Sequence, residues 1–283
     1  IGGYISINEL VNFDCLALAT NLYVKHTDSM RLHFKKEGSV TKQFVSDFVP
    51  FDINIYDINS ENEIVTIAKN SLSVPFDVFK DNLFRFLIFR FPNGKGGMVA
   101  IFHHLICDAY SLGLLVSRLM NIYSSLISSF KTNFSDDSKK FISTNDKKNC
   151  HFSNDDVKKF DVIKEDFPSY VSNIIETPSY FKSEKYKKDK DFWNNLYSSN
   201  PMLTYIYNKS SINDSLNGDR VSCKLDLSLH NKILNFCSKN NISEYTFFMS
   251  LFSIFLAKIN GTNTCTIGSP VLNRTNYKEK QVA

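Results

Sequence analysis

Chemistry in this chain is concentrated in one short stretch, His103-His104-Leu105-Ile106-Cys107-Asp108-Ala109-Tyr110-Ser111. An imidazole with an ordinary pKa of about 6.5 can take up a proton at neutral pH. A nearby carboxylate controls its tautomer and charge, which is what acid–base work requires. Asp108 follows His104 by four residues and could be that carboxylate, with Ser111 seven residues on. Consecutive residues on a strand point to opposite faces, so His103 and His104 cannot both address one ligand. One faces a cleft while the other packs or hydrogen-bonds inside, and that geometry argues against a metal held by the pair. Cys107 reads as a small buried thiol rather than a nucleophile.

These residues need a strand before them and a helix after them. Met98–His103 is a nearly continuous apolar run, the signature of a strand buried on both faces, and Leu83–Phe91 is aromatic and β-branched. Gly94, Gly96 and Gly97 supply the turn between the two. A helix follows from about Tyr110 to Leu126, with Leu114, Leu115, Arg118 and Leu119 along it. Upstream, Ser6 and Glu9 have capping-box spacing, which predicts a helix up to about Val24. Strands are expected over Met30–Phe34 and Gln43–Val49, and a helix over Glu61–Leu72 that Pro75 stops.

Lys131–Asp156 is polar, poor in apolar residues, and expected to be an exposed excursion that leaves Phe134 and Phe141 outside any common core. Beyond it, helical pattern returns near Pro168 and is strong over Ser183–Tyr197. Alternation suggests strands at Asp219–Leu225 and Thr264–Ile267. Amphipathic helices are expected over Ser228–Ser238 and from Ser243 to Ile259, the second ended by Gly261. The succession predicts an α/β (α+β two-layer) fold with a first lobe over 1–165 and a second over 166–283.

Composition removes several classes of function. The chain has 283 residues, a net charge of +4, 43% hydrophobic and 22% charged residues. These are globular proportions. The lysines scatter, so there is no footprint for nucleic acid. The longest apolar helix, Tyr245–Ile259, falls short of the roughly 20 residues a bilayer requires, so no membrane partner is expected. Cys15, Cys107, Cys150, Cys223, Cys237 and Cys265 are widely spaced without a C-x-x-C pair, which reads as reduced thiols in a cytoplasmic protein and argues against zinc.

His103-His104-x-x-x-Asp108 with Ser111 resembles the HHxxxDG motif of nonribosomal peptide synthetase condensation domains, shared more loosely with chloramphenicol acetyltransferase. Flanking blocks occur in the same order. Asp28–Phe34 resembles "EALRTRF". Pro75-Phe76-Asp77 followed by Leu83-Phe84-Arg85 resembles "PFDL…PLLRA". Ser111-Leu112-Gly113 resembles "SLG", Tyr186–Trp193 resembles the family's charged helix ending in an aromatic pair, and Ile267–Arg274 resembles "IGTPVANR". Ala109 stands where the motif has glycine. The "SxAQxRLW" and "GxFVNT" blocks have no counterpart, so the chain is expected to be a piece of a longer domain, truncated at both ends.

The resemblance implies a chloramphenicol acetyltransferase-like lobe plus part of a second. His104 would be the catalytic histidine facing the cleft, with His103 supporting the turn. Asp108 would be the structural acid, paired with Arg31, and Ser111 would open the next helix. The implied reaction joins a donor acyl or peptidyl thioester to the amine of an acceptor aminoacyl thioester, both on phosphopantetheine arms. The domain itself would bind no cofactor or metal. Its partners would be donor and acceptor peptidyl carrier protein domains and a neighbouring adenylation domain. Rival readings are an epimerization domain, a stand-alone coenzyme A-dependent acyltransferase, and an inactive docking domain. An incomplete second lobe is expected to leave apolar surface on the Phe247–Ile259 helix that favours self-association, and the piece alone is expected to be inactive.

Overall fold

The computed structural model describes residues 1–132, 148–164, 166–176, 178–199, 204, 206, 221–272, 274 and 279–282. The chain forms two compact units, Ile1–Ser179 together with Leu272–Ala283, and Tyr180–Val271.

The first unit is built on a five-stranded sheet. Its strands are β1 (Gly2–Ile7), β4 (Ile53–Asp57), β5 (Phe84–Arg90), β6 (Gly96–Phe102) and β7 (Asn149–Cys150), in the order β1-β6-β5-β4-β7. Among the described strands only β4 and β5 pair in parallel. A parallel pair needs a crossover, and helix α2 (Glu61–Ser73) lies in that connection. β2 (Leu32–Glu37) and β3 (Val40–Val45) form a separate hairpin.

Alternation along β6 explains the layers. Met98, Ala100 and Phe102 join the core formed with α1 (Phe13–His26) and α3 (Ala109–Thr132). Val99 and Ile101 point the other way, into a smaller cluster with Phe89 and Ile64 of α2. Every residue of β6 is buried, as its continuous apolar run requires. Gly94 lies in the β5–β6 connection at φ +77°, a conformation glycine adopts without steric cost.

The N-terminus differs from its expected helix. Gly2–Ile7 is a strand paired with β6, and α1 begins only at Phe13. Asn12 caps it, its side chain accepting from the Cys15 amide at 2.9 Å. The Ser6/Glu9 spacing is therefore a coincidence within a strand and its exit; pairing with β6 decides the conformation there. Met30 likewise lies in a 3-10 turn, Asp28–Arg31, rather than in the strand that follows.

The described end of the expected 131–156 excursion, from residue 148 onward, carries structure of its own. Phe134 and Phe141 lie outside the described residues. Asn149–Cys150 adds an edge strand to β4, and Ser153 opens the helix Asn154–Lys159 through a reciprocal capping box with Asp156. Cys150 and Phe152 are buried. A polar segment contributes to the core here because a few apolar side chains anchor it.

The unit continues past the expected boundary at 165 because the end of α1 and the turn after it hold the following segment. His26 contacts Asp161 at 2.7 Å and Asp166 at 2.5 Å, and its carbonyl accepts from the Phe167 amide. Asp28 accepts from the Ser169 hydroxyl and from the amides of Tyr170 and Val171.

In the second unit, Glu184–Leu196, Leu227–Lys239 and Glu244–Ile259 are helices capped by Ser183, Asp226 and Ser243. Gly261 ends the last at φ +62°. That helix exposes Tyr245, Phe248, Leu251 and Ile254. The expected strands do not form among the described residues of 219–225, or at Thr264–Ile267. Alternation marks a strand only where a neighbouring ladder takes up its backbone groups. Among the described residues no single helix is long and apolar enough to cross a membrane.

Candidate functional site

The site is the turn between β6 and α3. His103 leaves the sheet with its amide donating to the Leu83 carbonyl at 2.9 Å, and its own carbonyl accepts from the Ile106 amide at 3.2 Å. Its Nδ1 accepts from the Leu105 amide at 3.1 Å, and its ring meets Phe76 edge-on at 6.2 Å. Phe76 is held in turn by Arg85, whose guanidinium lies 3.8 Å over the ring and donates to the carbonyls of Ser71, Val74 and Pro75. His103 is thus half-buried and engaged with its own turn, whereas His104 is exposed.

Asp108 sits at the start of α3. Its Oδ1 accepts from the Ser111 amide at 2.7 Å and the Ser111 hydroxyl at 2.8 Å, an N-cap arrangement. Its Oδ2 lies 3.0 Å from Arg274 Nη2, which also reaches the Ser111 hydroxyl at 3.3 Å. Partial burial is the largest single influence on Asp108 and raises its pKa. Donation by the Ser111 amide and hydroxyl, together with Arg274, outweighs it, so the carboxyl titrates below its ordinary value. Arg274 stacks over Tyr110 at 4.9 Å and donates to the carbonyls of Glu279 and Val282.

The expected partner of Asp108 is therefore corrected. Arg31 does not pair with it; Arg31 Nη1 donates to the Ser46 carbonyl at 2.5 Å, tying the 3-10 turn to the end of the β2–β3 hairpin. The physical demand is a permanent cation beside a partly buried carboxylate. Arg274, at the end of the Ile267–Arg274 block, supplies it. Ala109 is the first residue of α3 and has no positive φ, so the motif's glycine is not needed here for backbone freedom.

Burial raises the Cys107 thiol to about 12, with Asp108 adding to the shift, as befits an inert packing residue. A separate cleft of about 540 Å³ opens at the far end of β5, lined by Leu10, Val11, Phe13, Asp57, Arg90 and Gly94 among others. It includes none of the motif residues.

The family model described as "Condensation domain" matches residues 3–150 and 158–283. Surfactin synthase subunit 1 of Bacillus subtilis (strain 168) is 27% identical over 292 residues, covering 100% of this chain and 7% of that protein. Bacitracin synthase 3 of Bacillus licheniformis is 20% identical over 267 residues, covering 93% of this chain and 4% of that protein. Among solved structures, the first condensation domain of the calcium-dependent antibiotic synthetase in complex with a substrate analogue superposes with a TM-score of 0.72 at 14% identity, covering 99% of this chain and 60% of that one. VibH, an NRPS condensation enzyme, gives a TM-score of 0.61 at 19% identity, with 89% of this chain and 52% of that one covered. The chain thus spans a small part of these synthases and little more than half of the solved domains. A strand that delivers an exposed histidine, a carboxylate that caps the next helix, and a family model matching both sides of the 150s lead to one assignment: the chain belongs to the condensation-domain family.

Proposed function

We propose that this chain is the histidine-bearing portion of a nonribosomal peptide synthetase condensation domain. The reaction joins two thioesters carried on phosphopantetheine arms. The acceptor amine attacks the donor carbonyl carbon, a C–N bond forms, the C–S bond breaks, and the donor thiol leaves with a proton. His104 serves the amine, receiving its proton or orienting it as charge develops. His103, Asp108 and Ser111 hold the turn that presents it, and Arg274 fixes Asp108. No acyl-enzyme is required. The phosphopantetheine belongs to donor and acceptor carrier domains, and an adenylation domain loads the acceptor. The cytoplasm, where thiols stay reduced, is the compartment this reading entails.

The observation that carries the proposal is the exposed His104 on a turn whose other polar side chains are already engaged. The test uses the extended parent synthetase with carrier-bound substrates and mass spectrometry of the carriers. His104→Ala is expected to abolish the amide product. Undiminished product would overturn the assignment.

A further inference from the structure

Arg118 is a buried cation, only 8% exposed, in the middle of α3. Its guanidinium lies 4.3 Å over the Phe167 ring, and its Nη2 donates to the Gln281 carbonyl. Its other terminal nitrogen has no hydrogen-bond partner among the described residues. Burial lowers its pKa against an opposing influence from the neighbouring Tyr23. A long apolar side chain would fill this place without desolvating a charge. What the guanidinium adds is a grip on the 279–282 backbone.

The same short segment is gripped by the site. Arg274 donates to the carbonyls of Glu279 and Val282 on one side and to Asp108 and Ser111 on the other. Ser111 and Arg118 are seven residues apart, about two turns, and so share a face of α3. Both are buried, as is Val282. The 279–282 turn is therefore pinned to α3 at two points, by Arg274 beside the helix start and by Arg118 about 10 Å along it.

We propose that Arg118 is a positioning residue for the His104 turn. It holds the 279–282 backbone against α3, which fixes the guanidinium of Arg274, which in turn fixes the carboxylate of Asp108 and the first turn of the helix behind His104. The link to catalysis rests on the function proposed above; the link to the geometry of the turn does not.

Two measurements test it in the extended parent. Hydrogen exchange over residues 103–112 reads the Asp108–Ser111 cap without any reaction. Arg118→Met is expected to speed exchange there, and Arg118→Lys, which keeps a donor and a charge, to restore most of the protection. In amide formation, Arg118→Met is expected to lower kcat by roughly tenfold to a hundredfold with KM for the carriers unchanged, and to add nothing in an Arg274→Met background. Unchanged exchange in folded Arg118→Met protein, or losses that multiply with those of Arg274→Met, would overturn the inference. If Arg118→Met does not fold, Arg118→Lys and Arg118→Gln make the same comparison, and equal cap protection in both overturns it. Altered exchange alongside full activity in His104→Ala would instead sink the catalytic reading and leave the positioning intact.

Discussion

Arg274 and Asp108 form a 3.0 Å ion pair although 166 residues separate them in sequence. The carboxylate is divided, one oxygen given to Ser111 at the helix start and the other to the distant arginine. Local capping and long-range closure therefore meet in one side chain, immediately behind the exposed His104.

A double-mutant cycle tests that pairing. Asp108→Ala is expected to cost about 1 kcal/mol from the lost cap alone. The Asp108 side chain is 44% exposed, so solvent screens its pairing with Arg274, and a coupling of only about 0.5–1 kcal/mol is expected between Asp108→Ala and Arg274→Met. Asp108→Ala and Arg31→Met should be additive. Denaturant titrations of the four proteins in each cycle decide it; coupling to Arg31 rather than Arg274 would reverse the assignment.

The pH dependence has a definite sign. Asp108 titrates below its ordinary value of 3.8 in the folded protein. Its stabilising contribution is complete above the unfolded value and disappears as pH falls through the folded one. The stability difference between the parent sequence and Asp108→Asn should be flat from neutrality to about pH 5 and close at lower pH. A difference that widens in acid would contradict the assignment.

Gly97 is a steric requirement of the sheet. A Cβ there would stand 1.8 Å from the Ile5 carbonyl oxygen and 2.7 Å from the Phe89 ring. The first neighbour is backbone and cannot swing aside. Gly97→Ala is expected to cost more than about 3 kcal/mol, in the range of overpacked or strained core sites, while Gly3→Ala, with nothing within 4 Å, is nearly neutral. Melting temperatures of the two variants make the comparison.

Thiol chemistry should divide by burial. Burial raises Cys15 and Cys107 to about 12, with Asp14 and Asp108 adding to the respective shifts. Cys223 is exposed. Iodoacetamide at pH 8 should label Cys223 first, with Cys15 and Cys107 protected until the protein unfolds. Early labelling of Cys107, detected by peptide mass spectrometry, would mean the motif turn opens in the native state.

The elements next to the site are legible in the sequence because their signals are local. Continuous apolar runs mark β5 and β6, and the helical pattern from about Tyr110 marks α3. Failures occur where distant chain decides. Ser6 and Glu9 satisfy a helix-start pattern, yet β6 offers Gly2–Ile7 a ladder. Residues 219–225 and 264–267 alternate, but no described strand pairs with them. Arg31 and Arg274 carry the same charge and the same reach, and no periodicity says which will lie beside Asp108. That choice is made by tertiary closure, through the 279–282 carbonyls that hold Arg274.

Capping by Asp108 also bears on how such a site can decay. Among the described contacts, His104 makes none on which the helix depends, whereas Asp108 starts α3 and anchors Arg274. A lineage that abandoned the chemistry could replace His104 freely while still being held to Asp108 by the need to fold. Survival of the acid without the histidine would thus mark a retired catalyst, and the two positions should carry separate evolutionary histories even though they stand in the same turn.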